Sequence, residues 1–508
     1  MIRTVRVAVL ALACCLLVSC GFDSAPADLT IAHDSEPPSL DPALMTGVGE
    51  GRIATALFEG LTSLDSKTLE VRPGVAEEWE VSPGGLEWRF TLREDARWSD
   101  GNPLTAQDFR WSWLRVLDPV TGAPYAGLLY PVHGAEAFHK GEGPRSDVAI
   151  RADDDRTLIV TLDRPIPWFG SLTAFFTLLP VPRAAVEAHG DRWTRPEHIV
   201  TNGPFHLEDW RFYREILLRR SATYRGPGPA KAERIRLLPV PDANTQLNLY
   251  ATGVVDVTFS VPSSVVGRLS GRADFVSGPR LATVFVRMNV RRAPLDSVKI
   301  RRAISHAIDQ PAIVRHVTRG GEEEAFSLTP PSIRPWRVEE AMPTTRAIES
   351  RPLSLLLPEN PDYAALATVL ANQWKERLGL EIRLDIREWK VYLASRRRGD
   401  YDLALSTWIG DYPDATTFLD CFRSGDGNNQ TGWASEDYDA HLAAAASTGA
   451  DRDGWLGKAE TLLLREAPIA PIYHPTLRYL VSPRVKGFAT NALGLVRFAD
   501  LSVGEGER

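Results

Sequence analysis

Residues 363–386 read YAALATVLANQWKERLGLEIRLDI, a segment with helical periodicity followed at once by an alternating one. Apolar side chains recur every three or four positions up to Leu378, and Gly379 ends this period as the C-cap of a helix. Residues 381–386 then alternate between polar and apolar side chains, as a half-buried strand does. A helix that leads directly into a strand is the unit of α/β folds, so this stretch predicts an α/β protein.

The same signals recur along the rest of the chain. Residues 87–92, EWRFTL, alternate as a strand, and after a turn-rich segment Thr105 caps a helix in which Asp108 can bond back to the cap amide. There is no repeat period and no low-complexity linker, so we expect several domains that are interleaved along the chain. Further strands are predicted at residues 29–33, 157–162, 234–240, 254–259 and 469–474, and further helices at residues 243–251, 298–308 and 451–466.

The N-terminal residues have the pattern of an export signal. Two arginines precede an uncharged run, residues 7–18, that is too short to span a bilayer as a helix. The run ends in Leu-Val-Ser before Cys20, which resembles the lipobox of bacterial lipoproteins and implies cleavage before Cys20 and a lipid on its sulfur. We therefore predict a signal peptide at residues 1–19 and a lipid-anchored tether at residues 20–28. The alternative is an ordinary signal peptide in which the cysteine is accidental.

Composition excludes several kinds of site. The chain has four cysteines, and two of them, Cys14 and Cys15, leave with the predicted signal peptide. Cys20 and Cys421 alone can build neither a disulfide framework nor a cysteine-based metal site. A formal net charge of −7 provides no basic surface for nucleic acid. We therefore expect no metal, no cofactor and no nucleic-acid partner.

The motifs of common enzymes are also missing from the sequence. It contains no G-x-S-x-G elbow, no H-E-x-x-H, no P-loop and no Rossmann glycine fingerprint. The ten histidines are scattered singly, and His133 and His139 lack a third metal ligand nearby, so we interpret them as surface side chains. The sequence thus offers no catalytic constellation.

Short motifs spread over nearly the whole chain give the clearest indication of a family. In their residues and in their order along the chain, these motifs resemble those of the solute-binding family of ABC importers that includes oligopeptide- and dipeptide-binding proteins. The matching segments are Ser35-Glu36, residues 39–42 (SLDP), 57–61 (LFEGL), 73–77 (PGVAE), 98–109, Ser112-Trp113, 201–204 (TNGP) and 408–418.

The resemblance implies a periplasmic-binding-protein clam-shell of two α/β lobes, class II-like, with an extra α/β subdomain inserted in the first lobe. It further implies a monomer outside the cytoplasm that captures short peptides and delivers them to an ABC permease with its own ATPase. The implied divisions are residues 29–58, 185–279 and 479–508 for lobe I, 59–184 for the inserted subdomain and 280–478 for lobe II.

The resemblance also implies where the ammonium of a peptide binds. The anchoring aspartate of the family falls on Asp411 in the segment WIGDYPD, where Trp408 would exclude water and strengthen the ion pair. Ile409 and Gly410 would offer backbone groups to the ligand. The alternative is a plain turn aspartate ahead of a proline, and Asp414 lies close enough in sequence to be confused with Asp411.

On the other side of the cleft, the family pairs the ligand backbone with a segment that here is Gly47-Val48 and with a tyrosine that here is Tyr125. Ordinary burial in a proline-containing loop is the alternative for Tyr125. His474 lies on a predicted strand that, in the family, passes near the cleft.

The residues that would bind the C-terminal carboxylate of a peptide differ from those of the family. Leu405 and Tyr363 stand where relatives have an arginine and a histidine, which leaves Arg396, preceded by Trp389, as the candidate partner. Because Arg396 begins a run of three arginines, a solvated helix face is the alternative. A non-peptide ligand, such as a metal chelate, an opine or a sugar, therefore remains open. So does a lipid-anchored hydrolase of peptides or cell-wall fragments, although no nucleophile constellation supports an enzyme.

Overall fold

A computed structural model describes residues 26–337, 348, 350–446 and 451–504 of the chain. The predicted signal peptide and Cys20 lie outside the described residues. Within these ranges, no helix has the length and apolar character that crossing a membrane requires. Cys421, the one cysteine in them, is buried and reduced, and its thiol donates to the Thr417 carbonyl at 3.3 Å.

The strands lie in three main sheets and two two-stranded sheets. In chain order they are β1 (Leu29–His33), β2 (Thr62–Leu64), β3 (Val71–Pro73), β4 (Ala76–Val81), β5 (Glu87–Leu92), β6 (Ile150–Ala152), β7 (Thr157–Thr161), β8 (Phe205–Arg211), β9 (Glu215–Arg220), β10 (Arg234–Pro239), β11 (Val257–Thr258), β12 (Phe275–Pro279), β13 (Ala282–Met288), β14 (Glu323–Glu324), β15 (Leu353–Pro358), β16 (Ile382–Arg387), β17 (Leu403–Ile409), β18 (Ile469–His474), β19 (Thr476–Val481), β20 (Val485–Lys486) and β21 (Ser502–Val503).

The helices pack on the sheets and vary from one turn to five. In chain order they are α1 (Val48–Leu57), α2 (Ala106–Val116), α3 (Ala135–Lys140), α4 (Phe169–Leu172), α5 (Arg183–His189), α6 (Ala243–Ala251), α7 (Val266–Leu269), α8 (Val298–His306), α9 (Gln310–Ile313), α10 (Pro361–Leu378), α11 (Trp389–Arg398), α12 (Thr416–Leu419), α13 (Glu436–Ala446) and α14 (Arg452–Glu466). A π-helical turn, Val314–Thr318, extends α9.

Most local sequence signals formed the elements that they predicted, but the strand predicted at residues 254–259 is only β11 (Val257–Thr258), and the helix predicted at residues 298–308 ends at His306. The segment that predicted an α/β unit is α10 followed by β16, and Gly379 ends α10 with a φ of 70°. This left-handed conformation favours glycine because a side chain would meet the carbonyl. Thr105 caps α2, and its backbone N–H donates to the Asp108 carboxylate at 2.8 Å. The predicted capping interaction is therefore confirmed.

We call lobe I the part of the chain built on the seven-stranded sheet, whose order is β12-β19-β11-β1-β10-β9-β8. The central strand β1 is almost fully buried and runs parallel to β10 and β11. The strands of this sheet come from three separate stretches of sequence, residues 29–33, 205–279 and 476–481. The chain therefore leaves lobe I and returns to it, as an interleaved organisation requires.

We call lobe II the part built on the six-stranded sheet β14-β18-β13-β17-β15-β16. Every residue of β13 is buried, and successive side chains of a strand point to opposite faces. Accordingly, Val284 and Val286 belong to one hydrophobic core, whereas Phe285 belongs to a second core on the other face. Helix α10 packs on β15 and β16 at the first of these faces.

The inserted subdomain contains the antiparallel sheet β4-β5-β7-β6, between residues 76 and 161. Helix α2 packs on β6 and β7. Side chains of this subdomain, among them Trp88 and Trp113, share one continuous core with the buried strands of lobe I. The subdomain is thus held to lobe I by apolar burial.

The chain crosses between the lobes at two neighbouring points, which we call the hinge. The first crossing lies between β12 and β13, and the second lies at Pro475, between β18 and β19. The Arg280 N–H donates to the Pro475 carbonyl at 3.0 Å and ties the two crossings together. The boundary predicted at residue 280 falls in the first crossing. The boundary predicted at residue 479 falls inside β19, which already pairs with β12 from Thr476, so we place that crossing at Pro475.

Several family motifs have a structural role inside lobe I. In LFEGL, the Glu59 carbonyl accepts the Asn202 side-chain N–H at 2.9 Å, and the Glu59 N–H donates back to Asn202 at 3.2 Å. A Cβ on Gly203 would lie 2.5 Å from the Leu57 carbonyl carbon, so only glycine fits there. These contacts join the LFEGL and TNGP segments, although 143 residues separate Glu59 and Asn202.

Candidate functional site

The end of β17 carries the segment that contains Asp411. The Gly410 N–H donates to the Leu281 carbonyl at 2.7 Å, and the Asp411 N–H donates to the Thr417 hydroxyl at 3.0 Å. A Cβ on Gly410 would lie 2.7 Å from the Leu281 side chain, so glycine permits this close approach. The Trp408 indole donates to the Thr417 carbonyl at 2.6 Å. The backbone and the indole therefore hold Asp411 in one position, beside the partly exposed side chain of Ile409.

The Asp411 side chain is the unusual group of this segment. No hydrogen bond or ion pair reaches its carboxylate from any residue in the described part of the chain, and burial alone raises the pKa of Asp411 to about 6. A desolvated carboxylate without a partner costs free energy unless a cation completes the site. The geometry therefore suits a ligand ammonium.

Asp414, the alternative aspartate, is engaged within the protein. Its carboxylate accepts hydrogen bonds from the Thr416 N–H at 3.0 Å and from the Thr416 hydroxyl at 2.7 Å. It also forms an ion pair with Arg452 at 2.7 Å. Asp414 is thus the turn aspartate of the segment, and Asp411 is the one that is left without a protein partner.

The inserted subdomain faces this segment from across the cleft. Trp168 stacks on Tyr412 with ring centroids 5.7 Å apart and an interplanar angle of 9°. Burial raises the pKa of the Tyr125 hydroxyl, and the nearby charge of Asp411 raises it further. Asp411 therefore lies between lobe II and the inserted subdomain.

Tyr125 and the start of α1 form the opposite wall. The Tyr125 ring packs edge-on against two phenylalanines, and its hydroxyl donates to the Thr46 carbonyl at 3.4 Å. The Gly47 N–H donates to the Glu50 carboxylate at 2.9 Å and the Gly47 carbonyl accepts the first helical hydrogen bond, so Val48 begins α1. Backbone pairing of a ligand with Gly47 N–H would have to displace Glu50. Pairing at Gly47 and Val48 stays a prediction.

Tyr363 and His474 lie nearer the hinge. The Tyr363 hydroxyl shares a hydrogen bond of 2.5 Å with the Thr407 hydroxyl, and burial raises its pKa. His474 is 6% exposed, and its Nδ1 lies 3.0 Å from the Thr283 hydroxyl. Because burial lowers the pKa of His474 to about 4, this ring is neutral at physiological pH and packs within the β18–β13 region. It is not placed to supply a charge to a ligand.

Arg396 and Trp389 occupy opposite ends of α11. The Arg396 guanidinium donates to the Gln430 side chain at 2.5 Å and to the Tyr392 hydroxyl at 3.1 Å. Trp389 is 56% exposed and stacks on Tyr392. Arg396 is therefore neither fully solvated nor free, and it would have to give up these bonds to bind a carboxylate. Leu405, which replaces the family arginine, is buried in the lobe II core.

A cleft of about 300 Å³ lies between the lobes beside the hinge, and the sequence interpretation did not find it. Arg280 lines this cleft, but its position between two strands gives no sign of that in the sequence. The residues that line this cleft are distant in sequence, and they meet because the two crossings of the hinge lie side by side. Ser263 and Arg478 line it from lobe I, and Glu322, Asp362 and Tyr473 line it from lobe II.

Curated relatives cover most of this chain. The probable deoxycholate-binding periplasmic protein YgiS of Escherichia coli is 34% identical over 483 residues, which is 90% of this chain and 89% of the relative. The periplasmic oligopeptide-binding protein OppA of Salmonella typhimurium is 35% identical over 482 residues, which is 90% of this chain and 88% of the relative. These names are those of binding proteins, and the chain is accordingly not an enzyme. The hydrolase alternative is therefore excluded.

Solved structures share the whole fold. The murein tripeptide binding protein MppA of Escherichia coli superposes with a TM-score of 0.82 at 30% identity and covers 94% of this chain and 99% of that one. OppA of Haemophilus influenzae, in complex with RPPGFSPFR, gives a TM-score of 0.80 at 30% identity with the same two coverages. The predicted two-lobed α/β fold is thereby confirmed.

The match to a protein family covers most of the chain as well. Residues 70–430 fit the middle region of the bacterial extracellular solute-binding proteins, family 5. This span includes the sheet of the inserted subdomain, the first crossing of the hinge and the Asp411 segment. With the relatives described above, it leads to one conclusion: the chain belongs to the family 5 bacterial extracellular solute-binding proteins.

Proposed function

We propose that this protein captures short peptides outside the cytoplasm and delivers them to an ABC permease whose ATPase supplies the energy. The observation that carries the proposal is the Asp411 carboxylate, which is partly buried, has no partner in the described chain and lies close enough to Tyr125 for its charge to raise the pKa of that hydroxyl. Relatives named as oligopeptide-binding and murein peptide-binding proteins support it.

The chemistry of a peptide N-terminus matches this site. A buried ammonium needs a carboxylate within hydrogen-bonding distance, and a charge-assisted bond of this kind is about twice as strong as a neutral one. A ligand ammonium at Asp411 would also remove the unfavourable desolvation of the lone carboxylate. Side chains of the peptide need no such partner, since bridging waters in a wide pocket can satisfy them.

Contacts between the lobes support capture by closure. Trp168 stacks on Tyr412 at one place, and the Ser263 hydroxyl donates to Asp362 at 3.2 Å at another. A ligand that contacts both sides of the cleft stabilises the closed state relative to an open one, because it makes those contacts only when the lobes meet. A permease that recognises the closed form would then receive loaded protein.

Native mass spectrometry of the purified protein tests the proposed ligand class. We expect short peptides to co-purify, and we expect calorimetry to show that free peptides bind and that their N-acetylated forms bind much more weakly.

A non-peptide solute is the second candidate, because one relative is named as deoxycholate-binding. Binding of deoxycholate without binding of any peptide would favour that candidate. Delivery is tested by uptake: cells that lack the protein should lose import of a peptide that it binds.

We also propose that the mature protein is anchored to the membrane through a lipid on Cys20. The LVSC pattern at the end of the apolar run supports this, since the run alone is too short to span a bilayer. The parent protein, produced in a bacterium that processes lipoproteins, should partition into the detergent phase of a Triton X-114 extract, and Cys20→Ser should move it to the aqueous phase. Aqueous partitioning of both proteins would contradict the anchor.

A further inference from the structure

Arg280 is a partly buried cation that lines the interlobe cleft. Its backbone N–H is bonded to Pro475, but its guanidinium has no hydrogen bond or ion pair with any residue among those that the structure describes. Burial lowers the pKa of Arg280, and the nearby charge of Arg52 lowers it further. Burying an arginine without a counterion is costly, and such a group is often completed by a ligand.

The carboxylate that lines the cleft beside Arg280 is already engaged. Glu322 is 6% exposed and is paired with Arg478, which enters the cleft from β19. The other Glu322 oxygen accepts the Gly320 N–H at 2.7 Å. Glu322 therefore compensates Arg478 and not Arg280.

Two further carboxylates near Arg280 are engaged in the same way. Asp34 is paired with Arg52 at 3.3 Å, so its charge is shared with a second cation. Asp362 accepts the Ser263 hydroxyl across the cleft at 3.2 Å. Among the described residues, Arg280 thus remains the charged group of this cleft whose side chain has no hydrogen-bond or ion-pair partner, and an anionic ligand group would provide one.

We propose that Arg280 binds a free carboxylate of the ligand, so that the protein selects peptides with an unmodified C-terminus. The inference rests on the proposed function, because Asp411 would hold the ammonium end. The planar guanidinium offers two parallel N–H donors, which match the two oxygens of a carboxylate. Arg280 replaces Arg396 as the candidate for this role, since Arg396 is bonded to Gln430.

The placement of Arg280 suits a ligand with two charged ends. Leu281 follows Arg280 in the chain, and its carbonyl accepts the Gly410 N–H that precedes Asp411. The cation and the carboxylate thus flank one backbone hydrogen bond, with the cation on the hinge side. A peptide zwitterion complements both charges, whereas an uncharged solute would leave both uncompensated.

Calorimetry with matched ligands and variants tests this assignment. Four proteins are compared: the parent, Arg280→Gln, Arg396→Gln, and Arg377→Gln as a control on an exposed arginine paired with Asp309. The ligands are a panel of free tripeptides, their C-terminal amides, and deoxycholate as a carboxylate that is not a peptide. We expect Arg280→Gln to lower affinity for the free acids about 10- to 100-fold and to leave the weaker binding of the amides unchanged. We expect Arg377→Gln to bind as the parent does.

Each other outcome decides against one part of the proposal. An equal loss for acids and amides would show that Arg280 only supports the hinge, and a loss confined to Arg396→Gln would return the role to Arg396; both overturn the inference. If the parent binds deoxycholate but no peptide, the proposed function fails. In that case the selection of peptides falls as well, and the binding of a carboxylate by Arg280 stands if Arg280→Gln abolishes deoxycholate binding and falls if it does not. If the parent binds neither kind of ligand, both proposals are overturned.

Discussion

Replacing Asp411 with asparagine is expected to lower affinity for peptides with a free N-terminus by about two to four orders of magnitude. The variant keeps the size of the side chain but leaves a buried ammonium without its counterion, which costs about 3–5 kcal/mol. The backbone of this segment should be unaffected, because the Asp411 N–H and not its carboxylate makes the bond to Thr417. Isothermal titration calorimetry of parent and variant measures the difference.

N-acetylated peptides provide the control for Asp411→Asn. They carry no ammonium, so parent and variant should bind them with similar, low affinity. Asp385→Asn is the matched protein control, because Asp385 is paired with Arg387 on β16 and has no part in the proposed site. Equal affinity of parent and Asp411→Asn for free peptides would remove Asp411 from the site.

The raised pKa of Asp411 gives the same prediction a second signature. With a pKa of about 6, Asp411 is largely protonated in the empty protein below that pH, and an ammonium ligand must displace the proton. Affinity should therefore fall between about pH 7 and about pH 5, with proton release on binding at the lower pH. Titrations in buffers of different ionisation enthalpy measure that release, and Asp411→Asn should abolish it.

The effect of Asp411 on stability has the opposite sign from that of a salt-bridged carboxylate. Its folded pKa of about 6 lies above the unfolded value near 3.9. The group therefore stabilises the empty folded protein fully below about pH 4, and this contribution is lost as the pH rises through about 6. A bound ammonium reverses this pH dependence of stability, because it favours the charged form of Asp411.

Replacing Asp41 with alanine is expected to lower the free energy of unfolding by about 3–5 kcal/mol. Asp41 is 3% exposed, and its carboxylate accepts two hydrogen bonds from Arg115, at 2.5 and 3.1 Å. It also accepts the Trp193 indole N–H at 3.1 Å. Without Asp41, the Arg115 charge and the indole N–H would stay largely buried and unpaired. The loss would be a large fraction of the stability of an ordinary domain.

Urea denaturation, followed by near-UV circular dichroism, measures the effect of Asp41→Ala. The control is Asp163→Ala, since Asp163 is an exposed aspartate whose partner, His133, is also exposed. That variant should unfold at the same urea concentration as the parent. An Asp41→Ala midpoint equal to that of the parent would contradict the role of Asp41. Peptide affinity of the folded variant should be unchanged, because Asp41 does not contact the proposed site.

The Asp41 network also explains what a family motif can predict. The motif SLDP indicates the family, and its aspartate, Asp41, binds Trp193 within lobe I and Arg115 in the inserted subdomain. The motifs LFEGL and TNGP likewise bond to each other. They identify the fold because they make it, and they carry no direct information about the ligand. The carboxylate end of the ligand had no such motif, so its prediction depended on Arg396 alone.

Local patterns in the sequence determined the elements of this protein. Helix periodicity, the Gly379 cap and the alternation in β5 act over a few residues, so they could be read without the fold. The likeness of motifs in order along the chain then determined the two-lobed architecture. Neither source of information states which charged side chains are left without partners.

Only the tertiary structure decided that question. Asp411 and Asp414 stand three residues apart, yet Arg452 pairs with Asp414, whereas no residue that the structure describes pairs with the Asp411 carboxylate. Arg280 is free for the same kind of reason, since Glu322 is paired with Arg478 on a strand 156 residues away. Whether a charge is compensated depends on the groups that lie within a few ångströms of it. Those groups belong to residues that come together only when the chain folds.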